Sequence, residues 1–475
     1  MWRMIAVLTA LVLTFSAGAQ PHESSGPIEA FIDQAMPAST APGIAYAVVD
    51  GNAIQSGARG EMLLGRGRPV TDETPFQLGS ISKSFTAMAI LQLVEAGEVA
   101  LDAEIATYLS DFRGQHGSAI TIRQLLSHTS GYSTLQGNQS HTDQTGEADE
   151  LSARVRQLAS IVPASDPGQR WWYSNANYLV LGRLVEVVSG RDFADYIETE
   201  ILAPAGMGNS FVSDGAIHET IATGHPPWFM GRRPVADRRT SRVMAPAGGV
   251  IASATDLARY LAIMTNGEDD LISADNKALM LRPASPASPF YGLGWFLDPA
   301  NETAYHTGVS PGVETIAALS TSDRRGVVVL INAGSGMGFG LTADLLYGST
   351  ALGLGNDYEG IGSQWSAQLF FVMMMALPLF FLAGIVGAWL LRSGLRAKSG
   401  LGGLFILWFP LVTTSAMSWA FLFLVPNLFG VPLNTLSLYQ PDMVILLITS
   451  SVTGLALAVF RLGLFYLNRP DRARG

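Results

Sequence analysis

The segment FQLGSISKSFTA (76–87) places Ser80 three residues before Lys83, one of only three lysines in the chain. If a helix begins here, both side chains lie on nearly the same face, and a partly desolvated lysine can take the proton of a serine nucleophile. Backbone N–H groups at the helix start could then stabilise an oxyanion. The alternative is structural: Ser80 caps the helix and Lys83 points into solvent. Because Ser-x-x-Lys is a common spacing, the motif alone favours the structural interpretation.

A second polar group, Tyr173-Ser174-Asn175, lies in the aromatic run WWYSNANY (171–178), just before an amphipathic segment. A tyrosine near a cation can have its pKa lowered enough to share a proton with a serine. Asn175 could orient either a substrate amide or Lys83. A proton carrier and an orienting amide are what a serine nucleophile needs besides its base, so Tyr173 and Asn175 favour the catalytic interpretation of Ser80 over the structural one.

A third group, His306-Thr307-Gly308, is predicted to lie between two strands. A glycine at such a position lets the backbone of a substrate approach the edge of a sheet. The chain therefore contains a possible nucleophile, possible proton carriers and a possible substrate-binding edge, in that order.

The three groups in this order resemble the serine β-lactamase and penicillin-binding protein superfamily, specifically its class C-like branch. The motifs of that branch are Ser-x-x-Lys, Tyr-x-Asn and Lys/His-Thr/Gly-Gly. Other stretches resemble the same family, so that the resemblance covers roughly residues 27–350: TIRQLLSHTSGY (121–132), PGQRWWYSNANYLVLGRLVEVVSG (167–190), PAGGVIASATDLARY (246–260) and YGLGW (291–295).

The resemblance implies acyl transfer to a serine followed by hydrolysis, without a metal or another cofactor. It implies three catalytic residues, namely the nucleophile Ser80, its proton partner Lys83 and the general acid/base Tyr173. The substrate-binding residues would be Asn175, His306, Thr307 and Gly308. The oxyanion hole would combine the backbone N–H groups of Ser80 and Val309.

The resemblance also bears on the substrate. Most class C β-lactamases have lysine where this chain has His306, and a neutral or partly charged histidine holds a substrate carboxylate less strongly. Family members with histidine there are D-Ala-D-Ala carboxypeptidases, D-amino-acid peptidases and esterases. A family domain followed by membrane helices is also similar to peptidases that remove an acyl-D-asparagine cap from a prodrug. The alternatives are a broad-specificity esterase or β-lactamase, and a non-catalytic membrane receptor that a β-lactam acylates.

Three other motifs are predicted to be structural. His128 in LLSHTSG is interpreted as a loop-packing residue. The Gly-x-Ser-x-Gly match at 308–312 has a proline after its serine, which fits a turn better than a nucleophile elbow. The glycine run at 334–338 lacks the Lys-Ser/Thr ending of a phosphate loop and is predicted to be a turn.

The elements that must position these residues follow from the local patterns. Residues 43–60 predict a β-hairpin, and 80–96 predict a helix with apolar residues on one face and a stop at Gly97. Strands are predicted at 292–297, 314–320 and 326–331, followed by a helix from about residue 340. Strands at both ends with helices between them predict an α/β (α+β) fold, in which one antiparallel sheet is flanked by helices and carries an inserted helical region.

The two ends of the chain predict export and membrane insertion. Residues 1–19 have the short basic, apolar and small-residue regions of a signal peptide, leaving a domain of 20–355. Residues 356–475 contain three apolar segments, about 365–391, 404–425 and 443–460, each suited to a membrane helix. Cations flank the first connection and the C-terminus but are absent from the second connection, which predicts a cytoplasmic C-terminus and a periplasmic domain at the bacterial inner membrane.

Charge and cysteine content narrow the partners. Before residue 360 there are 22 basic and 37 acidic residues, which argues against nucleic acid. The expected partners are a small peptide or amide substrate and the lipid bilayer. The chain has no cysteine, so disulfides and thiol nucleophiles are excluded. One basic cluster is interpreted as a solvated loop, with an anionic substrate or membrane surface as the alternative: Arg232, Arg233, Arg238, Arg239 and Arg242.

Overall fold

The computed structural model describes residues 26–139 and 149–467. These residues form two compact units. Of the described residues, the sheet unit contains 26–139, 149–336 and 340–362, and the helical unit contains Met337–Phe339 and 363–467. The predicted signal peptide (1–19) lies outside the described residues, and the predicted domain boundary between residues 355 and 356 stays a prediction.

The sheet unit is built around a six-stranded antiparallel sheet with the order β2-β1-β11-β10-β9-β8. Two small sheets, β3-β7-β4 and β5-β6, accompany it. The strands are β1 Gly43–Asp50, β2 Ala53–Gly60, β3 Phe76–Gln77, β4 Phe211–Val212, β5 Pro227–Trp228, β6 Gly231–Arg232, β7 Val250–Ala252, β8 Phe296–Asp298, β9 Thr303–Ser310, β10 Val313–Ser320 and β11 Arg325–Ile331.

Helices fill the chain between and after the strands. Those of the sheet unit are α1 Gly26–Ser39, α2 Ser82–Glu95, α3 Ile105–Tyr108, α4 Ile122–Leu126, α5 Thr134–Asn138, α6 Glu150–Ser160, α7 Asn175–Ser189, α8 Phe193–Ile197, α9 Ala245–Gly248, α10 Ala254–Thr265, α11 Ala274–Met280 and α12 Ala343–Gly353. Those of the helical unit are α13 Trp365–Leu390, α14 Arg392–Arg396, α15 Gly400–Trp419, α16 Val425–Leu428, α17 Leu433–Tyr439 and α18 Pro441–Tyr466.

The large sheet buries both of its faces. Successive side chains of a strand point to opposite faces, so Ala45 and Ala47 of β1 join one core and Ile44 and Tyr46 join the other. The first core contains α2, α7 and α10, whereas the second contains α1 and α12. The sheet is therefore a middle layer, and the predicted α/β fold with an antiparallel sheet flanked by helices is confirmed.

Most predicted strands are present. The 43–60 hairpin is confirmed as β1 and β2, and the strands predicted at 314–320 and 326–331 are β10 and β11. Two predictions need correction. The strand predicted at 292–297 begins only at residue 296, as β8 Phe296–Asp298, and His306-Thr307-Gly308 lies inside β9 rather than between two strands. Pairing with β10 along the whole of β9 makes the motif part of a strand, although a glycine inside it weakens the local strand pattern.

The predicted helix at 80–96 also differs in detail. A 3-10 turn at Gly79–Ile81 precedes α2, and Gly97 follows it with a positive φ of 74°. The helix is buried on nearly every side rather than on one face, because the sheet core and the helices α7 and α9 surround it. Its first turn is thus held in the middle of the sheet unit.

The helical unit contains three helices that are long and apolar enough to cross a membrane, at Trp365–Leu390, Gly400–Leu428 and Pro441–Tyr466. They confirm the three predicted apolar helices. Small residues allow close packing between them: a side chain added at Gly454 of α18 would lie 3.2 Å from atoms of Phe381 and Met417.

Candidate active site

Three serines occur in the 80–84 segment, and their surroundings distinguish them. Ser82 Oγ accepts a hydrogen bond from the Val250 N–H at 2.9 Å, and Ser84 donates to the Ile81 carbonyl at 2.9 Å, both in fully buried positions. Ser80 is partly exposed and its Oγ lies 2.9 Å from Lys83 Nζ. Ser80 is therefore the serine that combines access with a basic partner.

Lys83 is fully buried, one helical turn after Ser80. Its Nζ lies 2.8 Å from Asn175 Oδ1 and 2.7 Å from the carbonyl oxygen of Ala247, in addition to Ser80 Oγ. The described structure shows no side-chain cap on the turn at Gly79–Ile81 or on α2. The structural interpretation, with a capping serine and a solvent-facing lysine, is therefore wrong.

Burial also changes the charge of the lysine. Desolvation lowers the pKa of Lys83 well below its usual value, because the ammonium form loses its hydration. A neutral amine has two N–H bonds and one lone pair. The amide oxygen of Asn175 and the carbonyl of Ala247 can only accept, so they take both N–H bonds and leave the lone pair for the Ser80 hydroxyl.

Tyr173 completes the group on the other side of the serine. Its hydroxyl is hydrogen-bonded to Ser80, and its ring centroid lies 4.9 Å from Lys83 Nζ. The expectation of a lowered pKa is wrong. Desolvation raises the pKa of Tyr173 above its usual value of 10, although the hydrogen bond to Ser80 opposes this rise. Tyr173 therefore keeps its proton and is suited to donating it.

Two residues hold Lys83 in place: the sequence pointed to Asn175 for this role, but it did not indicate Ala247. Asn175, the first residue of α7, donates through Nδ2 to Asn138 Oδ1 at 2.9 Å while its own Oδ1 accepts from Lys83. The Ala247 carbonyl comes from the short helix α9. Asn175 is thus placed to orient Lys83, one of the two roles left open for it. Ala247 lies in the PAGG stretch already noted for its family resemblance, but a backbone acceptor leaves no mark in a sequence.

His128 packs directly behind the site. Its ring centroid lies 4.4 Å from that of Tyr173, and its Nδ1 accepts from the Ser174 N–H at 3.1 Å and faces Asn177 Nδ2 at 3.0 Å. The backbone of His128 is left-handed, with φ 59°, and its carbonyl accepts from the Trp172 N–H at 2.9 Å. The loop-packing interpretation fits these contacts, but the segment that the loop holds is the one that carries Tyr173 and Asn175.

His306 lies in β9 on the buried side and is 1% exposed. Its Nδ1 donates to the Thr307 carbonyl at 2.7 Å, which leaves Nε2 to accept from the Tyr291 hydroxyl at 3.3 Å. Burial, with a contribution from Lys83, lowers the pKa of His306 to about 3. The imidazole is therefore neutral and occupied by protein groups, so it packs behind Tyr173, with ring centroids 6.1 Å apart, instead of presenting a charge to a substrate.

Gly308 has a different role from the one expected of it. A side chain added here would lie 1.8 Å from the Leu78 carbonyl and 2.2 Å from Thr315 Oγ1. The missing side chain therefore lets β9 approach the turn that carries the nucleophile, rather than making room for a substrate backbone. Gly79, with φ 54°, provides the matching gap, since a side chain there would lie 2.6 Å from the Val309 nitrogen.

This close approach brings together the two expected oxyanion-hole residues. The Val309 nitrogen lies beside Gly79, which immediately precedes Ser80. The described pairing of β9 with β8 ends at Tyr305, so residues 306–310 face the nucleophile turn instead of a strand on that edge. Thr307 is partly exposed and the Val309 side chain is 49% exposed. The end of β9 thus offers an edge next to Ser80.

The remaining motifs are structural. Pro311 and Gly312 form the turn between β9 and β10, and residues 334–338 form a loop after β11. The basic cluster is largely paired within the protein. Arg238, Arg239 and Arg242 lie 2.8, 2.6 and 2.5 Å from Glu219, Asp237 and Asp192. Arg232 donates to backbone carbonyls, and Arg233 stacks on Trp228 at 3.5 Å.

The family model described as Beta-lactamase matches residues 28–351. Penicillin-binding protein 4 of Amycolatopsis lactamdurans is 30% identical over 322 residues, which cover 59% of this chain and 81% of that protein. Protein flp of Staphylococcus aureus is 24% identical, and the match covers 66% of this chain and 64% of that protein.

Solved structures share the fold. The octameric penicillin-binding protein homologue from Pyrococcus abyssi superposes with a TM-score of 0.62 at 26% identity, covering 70% of this chain and 78% of that one. The motifs, the arrangement of Ser80, Lys83 and Tyr173 and these matches agree, and the chain belongs to the beta-lactamase family of serine hydrolases.

Proposed function

We propose that this protein is a membrane-anchored serine hydrolase that cleaves peptides or amides containing D-amino acids through an acyl-enzyme on Ser80. One observation carries the proposal: a fully buried lysine, held by two acceptor oxygens, lies 2.9 Å from a partly exposed serine. Burying an amine without a carboxylate partner costs free energy. Buried ionisable groups of this kind are typical of functional sites, which supports a role for Lys83 as a base.

The chemistry follows from the protonation states. The neutral amine of Lys83 takes the proton of Ser80 as Oγ attacks the carbonyl carbon of the substrate. The N–H groups of Ser80 and Val309 stabilise the resulting oxyanion. The bond to the leaving amine then breaks, and Tyr173 donates its proton to that nitrogen and recovers one from Lys83. Water then attacks the acyl-enzyme while Lys83 accepts one of its protons. The bond between the acyl carbon and Ser80 Oγ breaks, Lys83 returns the proton to Oγ, and the acid is released.

The family relationship supports the substrate class. Histidine at position 306 is similar to that of family members that act on D-amino-acid peptides and esters. The D-Ala carboxypeptidase and D-amino-acid prodrug peptidase types both lie within this proposal. Because the imidazole of His306 is neutral and buried, it supplies no cation for the carboxylate of a β-lactam, which disfavours an efficient β-lactamase.

The nucleophile is tested by labelling the full chain with a fluorescent fluorophosphonate. Wild type is expected to be labelled, and Ser80→Ala is expected to lose both labelling and turnover of D-aminoacyl amides. Ser82→Ala serves as the matched control, since that hydroxyl only bonds to backbone. Unchanged labelling of Ser80→Ala would show that the nucleophile is another residue.

The same preparation separates the alternatives. Comparing p-nitrophenyl esters with D-aminoacyl amides separates a broad-specificity esterase from a peptidase. Mass spectrometry after exposure to a β-lactam distinguishes a third case: a stable adduct on Ser80 without turnover of any substrate would identify a receptor rather than an enzyme.

The proposed location is the inner membrane, with the sheet unit in the periplasm and the C-terminus in the cytoplasm. The three apolar helices and the cations flanking their first connection support it. A fluorescent protein fused after residue 475 is expected to fluoresce. An alkaline phosphatase reporter, which is active only outside the cytoplasm, is expected to be active within the second connection (429–440). The reverse pattern would overturn the orientation.

A further inference from the structure

Among the residues that the structure describes, the basic side chains around the nucleophile are engaged by protein groups. Lys83 is fully buried and bonded to three oxygens. His306 uses one ring nitrogen on the Thr307 carbonyl and the other on the Tyr291 hydroxyl. Arg170 is exposed nearby, but its guanidinium stacks on Trp172, 5.3 Å from the ring centroid.

A group of aromatic rings lies around Tyr173. Tyr173, bonded to Ser80, stacks with Phe296 at 6.1 Å, and its ring lies 6.2 Å from that of Trp171. Trp171 in turn contacts Phe290 edge-on at 5.1 Å and Phe296 at 6.2 Å. Phe290 is 40% exposed, so this end of the group of rings is open to solvent. These rings, Trp171, Phe290 and Phe296, are called the aromatic wall.

We propose that the aromatic wall makes the enzyme prefer substrates that carry an apolar or aromatic acyl group and no free carboxylate next to the scissile bond. The inference rests on the proposed hydrolase function and narrows it from carboxypeptidase towards amidase or prodrug-peptidase activity. An aromatic substituent gains edge and face contacts on these rings. A carboxylate brought to the same place loses water without gaining a counter-charge.

The first experiment compares two substrates that differ only in charge: an N-acyl-D-phenylalanyl-D-alanine and its C-terminal amide. The full chain in detergent is expected to cleave the amide with a kcat/KM at least about tenfold higher than the free acid, because the carboxylate would lose water without gaining a counter-charge. Equal rates, or faster cleavage of the free acid, would overturn the inference.

The second experiment measures the contribution of the wall. In wild type, we expect kcat/KM for p-nitrophenyl phenylacetate to be about ten or more times that for p-nitrophenyl acetate, because only the first ester has an aromatic acyl group. Phe290→Ala and Trp171→Ala should each lower this ratio several-fold, whereas Val187→Ala, which shortens an exposed apolar residue of α7, should leave it unchanged. Because both rates come from one preparation, a partly unfolded variant still gives a valid ratio.

The two proposals can fail separately. If the Ser80 nucleophile is labelled and turns over substrate but neither ratio behaves as expected, the specificity inference is wrong and the hydrolase function stands. If wild type shows neither labelling nor turnover, both are wrong.

Discussion

The amine of Lys83 illustrates how a single side chain gains a function from its surroundings. It is one of three lysines, yet burial and two obligate acceptors convert it from a solvated cation into a base aimed at Ser80. The lowered pKa means that the neutral form exists at lower pH than for an ordinary lysine, which extends activity towards neutral pH.

Replacing Lys83 with arginine tests this role. Arginine stays protonated and cannot accept the proton of Ser80, so acylation of Ser80 is expected to slow by about 10²–10⁴-fold. The rate of fluorophosphonate labelling measures the reactivity of Ser80 in each variant. Lys277→Arg is the matched control, because Lys277 is also buried but pairs with Asp270 at 2.5 Å. Labelling of Lys83→Arg at the control rate would contradict a proton-accepting role.

Tyr173→Phe tests the proton donor. Because the raised pKa keeps the proton on Tyr173, its removal should matter most when the leaving group needs protonation. We expect amide hydrolysis to fall by about 10²–10³-fold and p-nitrophenyl ester hydrolysis to fall much less, since nitrophenolate leaves without a proton. Equal losses for both substrates would indicate that Tyr173 acts before the leaving group departs.

At the scale of elements, the site depends on how closely β9 approaches the Gly79–Ile81 turn. The replacement Gly308→Ala would place a methyl group against the Leu78 carbonyl and Thr315 Oγ1, so β9 must move. We expect a loss of stability of about 1–3 kcal/mol and a larger loss of kcat, because Val309 is displaced from Ser80. Gly208→Ala, where an added side chain meets nothing within 4 Å, is the control. Full activity of Gly308→Ala would contradict the importance of this approach.

His128 is a positioning residue of the same kind. Its Nδ1 accepts the Ser174 N–H and its ring supports Tyr173. We expect His128→Ala to lower kcat while leaving KM nearly unchanged, and His128→Asn to restore part of the loss, because the amide oxygen can accept the same N–H. Thermal unfolding of both variants separates positioning from simple destabilisation: partial rescue of kcat without a change in unfolding temperature supports positioning.

The sequence indicated the elements with regular patterns but not those without them. The β-branched runs of β10 and β11 were predictable, whereas β9 was not, because its His-Thr-Gly segment lacks such a run and becomes a strand by pairing with β10. The motifs identified Ser80, Lys83 and Tyr173. The buried side of β9, and with it the neutral state of His306, depends on strand register, which the motif does not contain.

At the scale of the whole molecule, three buried histidines share one feature. His128, His225 and His306 are all hydrogen-bonded as neutral rings; in His225, for example, Nε2 accepts from the Leu64 N–H and Nδ1 donates to the Asn332 carbonyl. Burial lowers the pKa of each one. The unfolded chain therefore takes up protons near pH 6.5 that the folded chain excludes.

Stability should fall as the pH falls below about 6.5. The unfolded state binds more protons there, so each histidine contributes a loss of up to about 1.4 kcal/mol per pH unit until its folded pKa is reached, at about 3 for His306. Unfolding temperatures of the full chain in detergent at pH 7.5 and 5 measure the loss. His225→Gln, outside the site, should show a smaller drop between these pH values; a drop equal to that of wild type would contradict the assignment.

The strand order has a consequence for synthesis. β11 lies between β1 and β10, so a central strand of the sheet is synthesised after all the others. Asp50 of β1 pairs with Arg325 of β11, which is synthesised roughly 275 residues later. At translation rates of about 5–20 residues per second, this delay is on the order of 15–60 s. Meanwhile the edge of β1 that later pairs with β11 stays open to other chains. The topology therefore predicts slow assembly of the large sheet, with the open edge of β1 as the place where a chaperone would prevent aggregation.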